Sequence, residues 1–352
     1  MSDEKGVTAE GELKMLEDKY QQKVDALRRE MGTLPDLGVI AKTEYHAGVE
    51  GISVERIDGP RNPYRTILEV AVATWGNEAY PAKWSRITPE NRFKVVKAAL
   101  SGQTLPQAVE PVGWSFIVRG ASRSAFDQHA RQRLATFFSQ GVRDNSRADS
   151  GFRVPSELHP KYGGDPELYK EIQEHVESYK KLYVKILKTG WGSFQTARSI
   201  FPMGSTHNYR FYANLGAIKS YLSQRLQFCE QEDTVAVAVA VWKNIHDQFP
   251  LIADHLRPGC DYAKRCTYHQ ASTLSELFSA LFAGCGRWED PVKYATFNKS
   301  CSDSKKMKEQ LGYMYPEPTE WKNYSSFKDL EESDKKLFTE DCVVVFDPVT
   351  GE

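Results

Sequence analysis

The 352-residue sequence has no apolar run of about 18 residues, the length that a membrane-spanning helix needs. Its opening, MSDEKGVTAEGE, is acidic and lacks the apolar core of a signal peptide, so a cytoplasmic location is expected. Cysteine is sparse: Cys229, Cys260, Cys266, Cys285, Cys301 and Cys342 are too few for a secreted disulfide scaffold. Cys260 and Cys266 are spaced more widely than structural zinc ligands usually are, with His269 and Cys285 beyond them. Buried or unpaired thiols are the simpler reading, and no metal site is expected. Neither sign of charge is in excess, with 46 Lys and Arg against 47 Asp and Glu. That balance argues against a nucleic-acid-binding surface and leaves room for a local anion pocket. The glycine-rich signatures GxGxxG and GxxxxGK[ST] are missing, which removes the usual Rossmann and P-loop sites, and there is no HExxH. There is no internal repeat and no low-complexity tract.

What the chain does have is a 40% share of hydrophobic residues, enough for a substantial core in one large domain with extensions or in two small ones. Leu13, Leu16, Tyr20, Val24, Leu27 and Met31 recur at spacings of three or four and predict an amphipathic helix over 11–31. It reads as an arm docked on the body or on a partner subunit, or as a solvated, frayed segment. Ile52, Val54 and Ile57 suggest a strand closed by Gly59-Pro60. A buried helix is expected from Thr66 to Trp75, and another from the Thr88-Pro89 pair to about Leu100. Trp114 to Val118 reads as a buried strand, followed by a helix running through SRSAFDQHARQR. Asp165-Pro166 opens a long helix ending near Gly190, and Tyr212 to Glu230 is helical in pattern. Val235, Val237, Val239 and Val241 alternate like a strand, yet Val235, Ala238, Trp242, Ile245 and Phe249 keep helical spacing; helix is the reading adopted. Residues 292–352 are polar with weak periodicity and suggest a tail wrapped on the surface.

The segment SRSAFDQHARQRLATFFSQGVRD, residues 122–144, carries the strongest local signal. Gln128 and Arg131 stand three apart, on one face of the expected helix. Gly141 and Arg143 could hold an oxyanion through main-chain N–H groups and a guanidinium fork. A solvated, arginine-rich helix is the plainer alternative. Arg198 precedes the apolar Ile200-Phe201-Pro202, and Arg225 follows Tyr221 and Leu222 in an apolar helix. A buried arginine needs a carboxylate or an anion, so three converging arginines would make a phosphate pocket.

These residues carry a resemblance. Arg131-Gln132-Arg133, then seven residues and Gly141, resembles the Arg-His-Arg, seven residues, serine signature of the flavin-dependent thymidylate synthases, the ThyX family. Gly120, Ser122, Arg123 and Gln128 before it, VERIDGPRNP at 54–63, ARSIFP at 197–202 and Asn214 to Arg225 are similar to the family in the same order, over roughly 52–260. The departures lie on the flavin and base sides: Gln132 stands for the histidine, Gly141 for the serine, Gly216 for an arginine, Phe138-Ser139 for Asn-Glu and Asp144 for a tyrosine. GQTLPQAVEP at 102–111 keeps only Glu110 of the family's histidine-bearing stretch.

The resemblance implies an α+β fold in which a twisted sheet is packed by helices. It divides the chain into an N-terminal helical extension (1–50), a catalytic domain (51–290) and a C-terminal extension (291–352). It implies transfer of a one-carbon unit from 5,10-methylenetetrahydrofolate to C5 of a uracil nucleotide, dUMP or UMP, with FAD as hydride carrier and NADPH as its reductant. A homotetramer whose sites draw on several subunits is implied, with no membrane and no direct nucleic-acid partner. By motif position, Gln128, Arg131 and Arg225 are the catalytic candidates. Arg131, Gln132, Arg133, Asn214 and Ser220 fall on the flavin side, and Gln128, Ser139, Gly141, Arg143, Arg198 and Arg225 on the nucleotide side. The changed flavin side with retained phosphate arginines also allows a nucleotide-binding homolog that has lost catalysis.

Overall fold

Five strands carry the fold: β1 (Ala41–Glu44), β2 (Ser53–Asp58), β3 (Gly113–Ser122), β4 (Ala135–Ser139) and β5 (Thr206–Asn214). They form one antiparallel sheet in the order β1-β2-β3-β5-β4. The computed structural model describes residues 51–73, 84–139, 150–189, 193–227, 230–259 and 321–340, the backbone of 41–44, and the single positions Gln22 and Tyr262. The expected N-terminal helix, all six cysteines, Gly141 and Arg143 lie outside these residues.

Period-two patterning sets the sheet's two faces. Trp114, Phe116 and Val118 of β3 point to the same side as Tyr209, Phe211 and Ala213 of β5, and all are buried. Tyr212 and Phe138 point to the opposite face and are exposed. Gly120 has φ +73, and a Cβ there would come within 2.0 Å of the Gly51 carbonyl oxygen. Only glycine fits this kink, where β3 leaves regular register with β5 and turns toward the next helix.

Helices cover the inner face. In chain order they are α1 (Pro63–Ala71), α2 (Pro89–Leu100), α3 (Arg123–His129), α4 (Pro166–Lys188), α5 (Phe194–Ala197), α6 (Leu215–Arg225), α7 (Glu232–His246), α8 (Pro250–Asp254) and α9 (Glu332–Thr339). The ambiguous valine run is helix α7, and every residue from Asp233 to Trp242 is buried. A helix apolar all round belongs in a core, and here it packs on β1, β2 and β3 with α3, α6 and α8 around it. Its alanines let the sheet approach closely, while Glu232 and Asp233 suit the positive end of the helix dipole. Asp165 caps α4 through its side chain, which accepts from the Glu167 N–H at 2.9 Å.

Three expected elements are corrected. The helix expected through SRSAFDQHARQR ends at His129; residues 130–134 turn, and β4 follows. Ala135 and Phe137 face inward on β4, and Phe137 stacks on Phe211 at 5.6 Å, so sheet pairing wins over helix continuation. Gln128 and Arg131 therefore do not share a helix face. The helix expected from Tyr212 begins only at Leu215, because Tyr212 to Asn214 belong to β5. The helix expected over Thr66–Trp75 starts earlier, at Pro63, behind the capping side chain of Asn62, and ends at Ala71.

The segment 321–340 is anchored in the core. Phe338 is fully buried and stacks on Tyr64 with ring centroids 4.7 Å apart. Burial of such a ring contributes about 2–3 kcal/mol. The Asp334 carboxylate, also fully buried, accepts from the Tyr64 hydroxyl and from the Leu251 N–H at 2.8 Å. No helix among the described residues is long and apolar enough to cross a membrane.

Candidate active site

Two backbone junctions bring the functional side chains together. Ser122 ends β3 and caps α3, its Oγ accepting from the Ala125 N–H at 3.0 Å. That cap fixes Gln128 one residue before the end of α3. Arg225 ends α6, and α7 begins at Glu232, seven residues on.

Gln128 and Arg225, 97 residues apart in the chain, meet directly. The Arg225 guanidinium donates to the Gln128 side-chain oxygen at 3.3 Å and to its main-chain carbonyl at 3.1 Å. It also pairs with Glu230 at 2.7 Å, with the two side chains 15% and 5% exposed. A buried guanidinium requires such a counter-charge, and here the chain supplies it. The Gln128 amide nitrogen donates to Gln231 at 3.1 Å, whose side-chain oxygen also accepts from the Ser124 hydroxyl at 2.7 Å. The amide is therefore held in one orientation by partners at both ends.

Behind this group lies His129, 1% exposed. Its Nδ1 bonds the Tyr209 hydroxyl, and its Nε2 lies 3.3 Å from the Tyr221 hydroxyl. A neutral imidazole has one donor and one acceptor, which these two hydroxyls satisfy together. Burial, and secondarily the nearby Arg225 charge, hold its pKa down to about 3, against an opposing hydrogen bond from the ring to the Thr234 backbone. His129 is thus a neutral pin between α3, β5 and α6.

A second group forms at the N-terminus of α6. Asn214 caps it, its side-chain oxygen accepting from the Ala217 N–H at 2.8 Å, and Gln132 donates to the Ala217 carbonyl at 3.2 Å. Arg131 and Arg133, in the turn beside Gln132, are exposed. Ser220 is half-buried one turn further along α6. The nearest atom to a Cβ built on Gly216 is the Asn214 side-chain oxygen at 3.6 Å, so that position is open.

The remaining candidates stand elsewhere. Ser139 is exposed at the end of β4. Arg198 opens a short turn after α5, half-buried beside the Tyr183 and Ala197 cluster under α4. Among the described residues it has no ion-pair partner and no bond to Arg225 or Gln128. Sequence reasoning missed Glu230, Gln231 and His129. The acidic run Glu230 to Asp233, just after Arg225, was a readable hint for the first of these.

The family model of thymidylate synthase complementing proteins matches residues 57–251, more than half of the chain. The match contains both groups of residues just described. No curated protein sequence matches. Among solved structures, the UMP/dUMP methylase PolB of Streptomyces cacaoi, bound with 5-Br dUMP, is similar at a TM-score of 0.49. The identity is 18%, over 58% of this chain and 94% of that one.

Proposed function

The chain belongs to the family of thymidylate synthase complementing proteins, the flavin-dependent thymidylate synthases, and from that membership we propose that it methylates C5 of a uracil nucleotide. The supporting observation is the meeting of Gln128 with Arg225 at the C-terminal end of α6. Family chemistry assigns the hydride to reduced FAD, the carbon to 5,10-methylenetetrahydrofolate and the reducing equivalents to NADPH.

The residues present fit those groups. Arg131 and Arg133 offer exposed guanidiniums for a diphosphate, next to a helix N-terminus that favours negative charge. The open space at Gly216 admits a planar ring where the family has an arginine. Gln132 and Asn214 would line the same edge, with Ser220 further along the helix. Arg225 has five N–H donors, and three bonds occupy it, so donors are left for a nucleotide phosphate. Glu230 keeps the guanidinium in place before the nucleotide arrives. Gln128, clamped between Arg225 and Gln231, presents a fixed amide to the uracil ring. The reaction needs no nucleophilic cysteine on this reading; activation of the ring comes from position and electrostatics.

Among the described residues Arg198 makes no bond to Arg225 or Gln128, which supports a site completed between copies. Arg198, Arg143, Gly141 and Ser139 of one copy would face Gln128 and Arg225 of another in a homotetramer. Residues 51–290 would form the catalytic body, with 1–50 and 291–352 as extensions. A second reading, a nucleotide-binding homolog without flavin chemistry, is favoured by Gln132, whose amide is engaged by Ala217. Tritium release from uracil nucleotides labelled at C5 separates the two. FAD-dependent release that Gln128→Ala abolishes supports the enzyme; nucleotide binding with no release and no flavin absorbance supports the second reading.

A further inference from the structure

The neighbours of Gln128 dictate which end of its amide is which. A guanidinium only donates, so the end that meets Arg225 Nη1 at 3.3 Å is the oxygen. Arg225 is itself held in place: Nη1 also donates to Glu230 at 2.7 Å, and Nη2 donates to the Gln128 main-chain carbonyl at 3.1 Å. The nitrogen end of the amide then donates to Gln231 at 3.1 Å. Gln231 is an amide too, flanked by the hydroxyls of Ser122 and Ser124. Hydroxyls donate or accept as needed, so Gln231 can meet either end of Gln128. Gln231 therefore holds the position of Gln128, and Arg225 sets its polarity.

A side-chain amide has two acceptor lone pairs and two N–H donors. Arg225 takes one of the former and Gln231 one of the latter. One acceptor and one donor remain on the half-buried Gln128, with no partner among the described residues. That remaining pair suits one pyrimidine edge. Uracil presents its N3–H donor beside the O4 acceptor. Cytosine presents the reverse, an N3 acceptor beside the 4-amino donor. A reversed amide would suit cytosine, but it would set Nε2 against the Arg225 guanidinium, donor against donor. Leaving such groups unpaired away from water is costly.

We propose that Arg225 is a positioning residue for base selection: by fixing the polarity of Gln128 it makes the amide accept from N3–H of uracil, donate to O4, and reject cytosine. The proposal rests on the reading of this site as one for a uracil nucleotide and adds the residue pair that selects the base. It is separate from any contact of Arg225 with phosphate, which uracil and cytosine nucleotides share.

Calorimetric titration of the full-length chain with dUMP, dCMP, UMP and CMP at neutral pH tests it. The readout is the ratio of uracil to cytosine affinity at the same sugar, in which sugar and phosphate contributions cancel. Wild type should bind the uracil member about tenfold or more tighter, as expected of a site whose polar groups are left unmatched by the wrong base. Gln128→Met, similar in shape and without an amide, should bring the ratio to about one, mainly by weakening the uracil nucleotide. Arg225→Lys keeps a cation for Glu230 and for a phosphate but lacks the planar fork, so the ratio should fall by about fivefold or more even where overall affinity is kept. Both variants are compared at unchanged circular dichroism, and either one suffices if the other fails to fold. An Arg225 that serves the phosphate alone would leave the ratio unchanged in Arg225→Lys, and that result would overturn the proposal. A wild-type ratio near one, or an unchanged ratio in Gln128→Met, would overturn it as well, with the uracil-nucleotide reading left standing. Wild type that binds none of the four would overturn that reading and the proposal with it.

Discussion

Asp334 links the C-terminal segment to the body, and its replacement by asparagine should give a stability gain over wild type that grows as pH rises from acid to alkaline. The carboxyl is fully buried between Tyr64 and the Leu251 amide. Burial pushes its pKa up from 3.8 to about 7, with the Glu331 charge adding to the rise and the two hydrogen bonds opposing it. Tyr324 and Glu331 are the other titratable groups close by. A raised carboxyl pKa means that the folded chain holds a proton that the unfolded chain has released. Stability from that proton is complete below pH 3.8, declines as pH rises, and is gone above about 7. At 1.36 kcal/mol per unit, the span is worth at most about 4 kcal/mol. Asparagine keeps the neutral form at every pH: its oxygen can accept from Leu251 and its amide can donate to the Tyr64 oxygen. His129 and His255, with pKa values lowered to about 3 and about 4, act in the opposite sense. They stabilise the fold above 6.5 and cost stability as pH falls, so the difference between wild type and Asp334→Asn is the quantity to follow. Urea unfolding at intervals from pH 4 to 8 should show the variant gaining roughly 2–4 kcal/mol relative to wild type across that range. A difference that stays constant with pH would refute the assigned burial of the charge.

Arg225→Ala should weaken dUMP or UMP binding by roughly 2–5 kcal/mol in calorimetry, because it removes phosphate donors and strands Glu230. Unchanged affinity in a folded variant would remove Arg225 from the nucleotide site. Gly216→Arg should tighten FAD binding in an absorbance or fluorescence titration, since the position is open and the new guanidinium adds a cation at the α6 N-terminus; an equal or weaker Kd would contradict the flavin placement. His129→Phe should cost about 2–5 kcal/mol of stability near neutral pH by leaving two tyrosine hydroxyls unbonded, and that cost should shrink as pH falls below 6.5, where only wild type loses the contribution of a neutral imidazole. A cost that stays constant into acid would show that the imidazole is not buried neutral.

Much of the architecture was readable because it follows simple periodicity. The Ile52–Ile57 strand, the helix after Thr88-Pro89 and the helix after Asp165-Pro166 all stand where turn and cap residues put them. Helix α7 was harder, since alternating valine and alanine satisfies both periods when every face is buried. β4 escaped notice because no glycine or proline marks the end of α3, and the pairing partner, β5, lies far along the chain. The anchoring of Trp321, Leu330 and Phe338 was equally hidden: isolated apolar residues in a polar stretch have no period, and only distant partners, Tyr64 for Phe338 and Trp242 for Trp321, give them a place. The pairing of Gln128 with Arg225 is a long-range contact that motif order alone could suggest. The internal counter-ion Glu230, five residues from Arg225, was a local contact and went unread. Arg198 illustrates the limit most clearly, for its motif places it with Arg225, while no bond joins the two among the described residues.

The most direct measurement is the mass of the nucleotide recovered after incubating the protein with dUMP or UMP, FAD, 5,10-methylenetetrahydrofolate and NADPH. A product heavier by one CH2, since a methyl replaces the hydrogen at C5, formed only when FAD is present and lost in Gln128→Ala, is the predicted result. Unmodified nucleotide recovered from protein that has bound both FAD and the nucleotide would contradict C5 methylation as the function.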